Sequence, residues 1–120
     1  MHRFKDLEIW KMSRVLCSSI YGATSGFPQE EKFGITNQMR RASVSIPSNI
    51  AEGASRKSNK DFCRFLEIAM GSCYELETQL IISNDLGFLE YEKLQSLQAE
   101  INRVTMMTSK FITTLKARDN

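Results

Sequence analysis

Apolar residues recur along this chain at three- and four-residue steps, the spacing of one face of an α-helix, and the two-residue alternation of a half-buried strand is absent. Two prolines and six glycines break the pattern into four segments. The first is predicted to run from about Asp6, a plausible N-cap, to the region of Gly22 and Gly26, with Ile9, Met12, Leu16, Ile20 and Ala23 on its inner stripe. The second begins around Pro28, with Glu30 and Glu31 near the positive end of the helix dipole, and extends to about Ala54 on a stripe of Ile35, Met39, Ala42, Ile46, Ile50 and Gly53. Pro47 lies inside it and predicts a kink near Ser43 to Pro47, because it removes one backbone hydrogen bond and crowds the preceding turn. The third starts at Ser58, whose spacing to Asp61 suits a capping box, and ends at Gly87. Phe62, Leu66, Ala69, Cys73, Leu76 and Leu80 form a seam of alternating steps. The fourth spans about Glu90 to Lys116 on Leu94, Leu97, Ile101, Val104, Thr108, Phe111 and Leu115. Short connections make sequential helices antiparallel neighbours, so the expected fold is all-α, an antiparallel up-down-up-down four-helix bundle.

A monomeric bundle needs one apolar stripe per helix, and the fourth helix keeps to it: Glu92, Gln95, Ser96, Glu100, Arg103 and Lys110 lie away from the stripe. The other three carry a second sector. Trp10, Cys17 and Tyr21 share one side of the first helix, Val44, Pro47 and Ala51 one side of the second, and Ile68, Ile82 and Leu86 one side of the third, beside Gly71 and Glu75. Extra apolar sectors on three helices predict a homo-oligomer, since soluble monomers seldom display large contiguous apolar patches.

Composition adds bounds. At 120 residues, 42% apolar and 25% charged, the chain is expected to be a single four-helix-bundle domain over 1–120, and no apolar run approaches the ~20 residues that would span a bilayer, so no membrane partner is expected. The opening MHRFKDLEIW places charges where a secretion signal would be apolar, which gives a cytoplasmic expectation. Cys17, Cys63 and Cys73 lack the paired spacing of a zinc or redox motif and are read as reduced thiols. Net charge is +2, yet residues 1–64 hold eleven Lys/Arg against six Asp/Glu and residues 65–120 hold five against eight. That asymmetry fits either an acidic partner such as nucleic acid or charge matching between neighbouring helices.

Catalysis is not expected, and neither is a metal or cofactor. His2 is the only histidine, so nucleophilic triads and His-based zinc sites lack their parts. No GxGxxG or GxxxxGK[ST] run occurs. Glu52, Glu75 and Glu77 are carboxylates of the kind bundles use for metals, but such sites also need Glu-x-x-His pairs. A structural polar role is expected for Arg41, Ser45, Asn49, Glu52 and Glu77, with Glu52 and Glu77 each accepting hydrogen bonds from an arginine or a hydroxyl.

The most unusual stretch is residues 38–62, QMRRASVSIPSNIAEGASRKSNKDF. Arg40, Arg41, Arg56, Lys57, Lys60 and, just beyond it, Arg64 set six basic residues against Glu52 and Asp61. With Ser55, Ser58, Asn59 and the amides at the start of the third helix they form a candidate phosphate-binding surface for RNA or DNA. Equally open is a reading in which Arg40 and Arg41 pair with carboxylates of neighbouring helices or subunits while Arg56, Lys57 and Lys60 are solvated. Aromatic residues do not interleave with these charges as on a single-strand stacking platform.

FKDLEIWKMS and then EEKFGITNQMRRASVSIPSNIAEGASRKSNKDFCRFLEIAMGSCYELETQL resemble the four-helix-bundle family named for proteins encoded in the intervening sequences of bacterial large-subunit ribosomal RNA genes. The resemblance covers roughly residues 4–116. It rests on Gln38, Arg40, Arg41, Ser45, Ile46, Pro47, Asn49, Ile50, Ala51, Glu52 and Gly53, then Phe65, Ala69, Gly71, Ser72, Glu75 and Leu76. It implies a bacterial bundle that assembles into a ring-like homopentamer. Accessory variability determinant proteins of diversity-generating retroelements look similar in fold, and what they imply is nucleic-acid binding through a strongly basic surface. The +2 charge of this chain departs from theirs. The alternative is a structural or protein-interaction module whose partner is another protein.

Overall fold

The structure is a computed structural model and describes residues 2–119. A 3-10 turn, Phe4–Asp6, leads into helix α1, Glu8–Thr24. A second 3-10 turn, Gln29–Glu31, precedes α2, Ile35–Ala54, which is followed by α3, Asn59–Asp85, and α4, Tyr91–Arg118. Contacts between side chains give the directions. Thr24 meets Arg40 and Cys17 meets Ser43. Ser45 meets Ser72 and Met39 meets Ser83. Asn59 reaches Leu115 and Glu77 reaches Gln98. Between each two neighbouring helices, moving to a later residue of one moves to an earlier residue of the next, so successive helices are antiparallel. Ser19 on α1 bonds to Glu100 on α4 and closes the square. The result is the expected up-down-up-down bundle, 48 × 23 × 20 Å.

The periodic seams form its core. Leu16, Ile20, Met39, Ile46, Ile50, Phe62, Leu66, Leu76, Leu80, Leu97, Ile101 and Leu115 are fully buried, each stabilising the fold by about 1.5–3 kcal/mol relative to exposure. Met12, Ala23, Ile35 and Phe111 are half-buried instead. Buried hydroxyls fill part of the space. Ser13, Thr24, Ser43 and Ser83 donate to carbonyls three or four residues back in their own helices, at 2.8–3.0 Å, which satisfies them without a partner helix.

Helix ends test the punctuation. The Asp61 amide donates to Ser58 Oγ at 3.1 Å, the cap expected for α3. At its other end Gly87 has φ +80°, and the Gly87 and Phe88 amides reach back to the carbonyls of Asn84 and Ser83 at 3.1 and 2.9 Å. This Schellman arrangement needs a left-handed residue that glycine supplies without strain. Two expected starts move. Asp6 belongs to the first 3-10 turn and pairs with Arg3, so Leu7 takes the N-cap position of α1 without a side-chain cap. Pro28 opens a 3-10 turn and α2 begins at Ile35. No stripe residue lies between Pro28 and Ile35 to hold a helix on the bundle, and Phe33 is 86% exposed. Pro47 leaves α2 unbroken along its length.

At the α2–α3 corner a Cβ on Gly53 would come within 2.8 Å of both Phe62 Cδ1 and Phe65 Cβ, so glycine permits the close approach of the two helices. The N-terminal segment crosses the same end. The His2 amide donates to the Ala54 carbonyl at 3.3 Å, and its ring packs 5.1 Å from Phe62 and 5.8 Å from Phe111.

Candidate interaction surfaces

The six basic residues singled out above fall into separate places. Arg40 turns into the bundle: its Nε donates to Thr24 Oγ1 at 2.9 Å, Nη2 donates to the Tyr21 carbonyl at 3.4 Å, and the guanidinium lies 4.7 Å from the Tyr21 ring centre. It completes the C-terminal end of α1, where a cation is favourable. Arg41, one residue and 100° further on, faces the other way. It is exposed, forms no ion pair with any described residue, and lines a groove of about 490 Å³ between α2 and α3 with Phe33, Gln38, Ser45, Glu75 and Gln79.

Arg56 binds Glu52 Oε1 at 3.0 Å and stacks 4.7 Å from the centre of Phe65. Glu52 therefore takes an arginine, and that arginine is Arg56 rather than Arg41. Lys57 is exposed. Lys60 and Arg64 line a second groove, of about 540 Å³, between the start of α3 and the end of α4, together with Cys63, Glu67, Lys116 and Asp119. Arg64 lies 3.4 Å from Asp61, and Lys116 lies 3.9 Å from Glu67. Arg40 and Arg56 are about 24 Å apart along the helix direction at 1.5 Å per residue. The basic stretch is one run in sequence and two locations in space.

The polar residues between α2 and α3 form a short ladder. Ser45 and Ser72 hydroxyls meet at 2.9 Å, and Asn49 Nδ2 donates to the Ser45 carbonyl and Oγ at 2.8 and 3.0 Å. Glu77 is half-buried and accepts from Gln98 Nε2 at 3.4 Å, an amide of α4 where an arginine or hydroxyl was expected. Sequence reasoning assigned no site role to Gln79, Gln98 or Lys116, and Ser72 entered only through the family resemblance. Gln79 is 8% exposed and its Oε1 has no hydrogen-bond partner among the described residues. Lys116 was legible in principle, because an up-down bundle brings the last turn of the fourth helix against the first turn of the third.

The second apolar sectors divide as well. On α1, Trp10 packs edge-on against Phe4 at 5.2 Å beneath Arg14, and Cys17 accepts from Ser43 Oγ at 3.6 Å, so these two are used within the chain. On α3 the sector stays uncovered: Ile68, Ile82 and Leu86 are 53%, 42% and 57% exposed. Ile68, Glu75 and Ile82 follow one another at seven-residue spacing and share one outward stripe. Val44 is exposed on the outer side of α2.

Burial pushes the Cys73 thiol up to about 12, with Glu77 adding to the effect, and burial raises Cys63 as well, against the pull of Lys116. Neither thiol carries the thiolate a nucleophile needs near neutral pH. Burial draws the His2 imidazole below its ordinary value, and the amino terminus and Arg118 add to the shift. No group of three or more His, Cys, Asp or Glu suited to a metal occurs among the described residues, and no helix among them is long and apolar enough to cross a membrane.

Comparison with known proteins places this architecture. A solved structure, that of a protein of unknown function from the S23 ribosomal protein family of Bacteroides thetaiotaomicron VPI-5482 at 1.70 Å resolution, superposes with a TM-score of 0.78 at 21% identity, covering 87% of this chain and 97% of that one. That likeness is one of fold. No protein of curated function matches the sequence. The family model described as 23S rRNA-intervening sequence protein matches residues 5–110, and the chain belongs to that family.

Proposed function

We propose that this protein is a non-enzymatic assembly module, a homo-oligomer and by its resemblance a homopentamer, whose copies meet through the α2–α3 face. The observation that carries this reading is what that face leaves unfinished. It exposes Phe33, Val44, Ile68, Ile82 and Leu86, and it holds Arg41 and Glu75 as opposite charges without ion-pair partners among the described residues. Beneath them lies the unpartnered Oε1 of Gln79. That acceptor is already closed from solvent, so what a second copy supplies is an apolar cover and opposite charges for Arg41 and Glu75. The inert thiols and the position of the sole histidine, packed between two phenylalanines, support a role without catalysis. Light scattering tests the assembly: the wild-type protein runs at a multiple of 13.7 kDa and Arg41→Glu shifts mass toward the protomer. A sharp protomer mass for the wild type at micromolar concentration overturns it.

A second reading, binding of structured RNA or DNA, has its own support. Lys57 is exposed, and Lys60 and Arg64 share a groove with Lys116. Binding at the basic corner falls steeply with salt, with a log–log slope of about −0.9 per duplex phosphate contacted. Absence of binding at ~50 mM salt, where the electrostatic contribution is large, removes this reading.

A further inference from the structure

Antiparallel folding sorts the charges of this chain in a way the linear sequence hides. The His2 contacts with Ala54, Phe62 and Phe111, and those of Asn59 with Leu115 and Asp119, gather the N-terminal segment, the α2–α3 corner and the end of α4 at one end of the 48 Å axis. The half of the bundle on that side, residues 2–16, 45–72 and 105–119, holds eleven Lys/Arg against six Asp/Glu, a net of +5. The opposite half, 17–44 and 73–104, holds five against eight, a net of −3. Each end carries two helix N-termini and two C-termini, so the backbone dipoles cancel and side chains set the field. Over residues 105–118, α4 contributes Lys110, Lys116 and Arg118 and no acid.

The tip of that end is free of apolar anchors, while Val15, Ile68, Met106 and Met107, exposed in the same half, lie nearer the middle of the bundle. Within residues 2–14, 45–67 and 108–119 no large apolar side chain is exposed. A membrane-surface site needs such anchors beside its cations, whereas phosphate contacts need only charge and hydrogen-bond donors. We infer that this whole end of the bundle, with Lys116 and Arg118 of α4 joining Lys57, Lys60 and Arg64, is a docking surface for the phosphate backbone of double-helical nucleic acid. The inference rests on the nucleic-acid reading above and enlarges its surface with Arg118; relative to the six basic residues singled out from the sequence, Lys116 and Arg118 of α4 enter, while Arg41 and Arg40, the latter bound to Thr24 and Tyr21, belong to the other half and leave. Asp61, Glu67 and Asp119 lie among these cations and reduce the local field, so affinity comes from several segments acting together.

Three double variants measured by fluorescence anisotropy against a short labelled RNA duplex and its DNA counterpart test this. Each variant removes two positive charges: Lys116→Gln with Arg118→Gln, Lys57→Gln with Lys60→Gln, and Lys32→Gln with Lys93→Gln at the opposite end. At ~50 mM salt the first two weaken binding about tenfold and lower the salt slope by about 2, while the third leaves affinity within about twofold. Equal losses from all three overturn the inference in favour of bulk charge. Loss from Lys57 and Lys60 alone confines binding to the corner, which overturns the enlarged surface and leaves the simpler reading standing. No binding of either duplex by the wild type removes both.

Discussion

Where Lys57, Lys60 and Lys116 gather, the bundle exposes charge and no large apolar side chain, whereas the α2–α3 face toward the other end exposes Phe33, Val44, Ile82 and Leu86 around the unpaired Arg41 and Glu75. The basic end is closed from within. His2, Phe62 and Phe111 plug it, Gly53 lets α2 and α3 approach, and Arg56 is held by Glu52 and Phe65. Nothing among the described residues closes the α2–α3 face. A finished apolar interior beneath a charged exterior suits a polyanion that contacts side-chain tips, and an unfinished apolar exterior suits another copy of a folded protein.

That contrast is sharpened by substitutions at the two places. Phe62→Ala empties the plug and lowers stability by about 3–5 kcal/mol in a denaturant titration; a loss under ~1 kcal/mol means the end is not packed as described. Gly53→Ala forces a methyl against Phe62 and Phe65. Alanine is the better helix former by about 1 kcal/mol, yet overpacking outweighs it and leaves a net loss of about 1–2 kcal/mol, whereas a gain in melting temperature contradicts the close approach. On the other face, Ile68→Glu with Ile82→Glu changes the stability of the protomer fold by about 0.5 kcal/mol or less, because both side chains are already half in water; loss of helicity shows that they support the core.

The smallest effect is a pH dependence. His2 has a folded-state pKa below its unfolded value of 6.5, so as pH falls the unfolded chain takes up a proton first. Its contribution is present in full above 6.5 and is lost as pH drops toward the lowered folded value. A difference between wild type and His2→Gln that grows as pH falls below 6.5 agrees with this, and parallel stability curves contradict it.

Much of the architecture is legible in the periodicity of the apolar residues. The seam from Phe62 to Leu80 and, with Phe111 half-buried, that from Leu94 to Leu115 place their large side chains inside because a 3.6-residue turn allows one face only. The start of α2 is less so. Pro28, Glu30 and Glu31 carry every local sign of a helix N-terminus, but local preference without a buried stripe yields a 3-10 turn. Site residues are harder still, because adjacency along the chain says little about direction. Arg40 and Arg41 are neighbours, yet one completes α1 and the other faces an open groove. Conversely, Lys60 and Lys116 are far apart in sequence and share a groove only because α3 and α4 run antiparallel.

The division between an assembling face and a basic end is tested most directly by solution mass, measured by light scattering on two charge-altered proteins side by side. Ile68→Glu with Ile82→Glu is expected to fall to the 13.7 kDa protomer, while Lys57→Gln with Lys60→Gln keeps the mass of the wild-type assembly. The reverse pattern, or a wild type that is itself 13.7 kDa, contradicts the account.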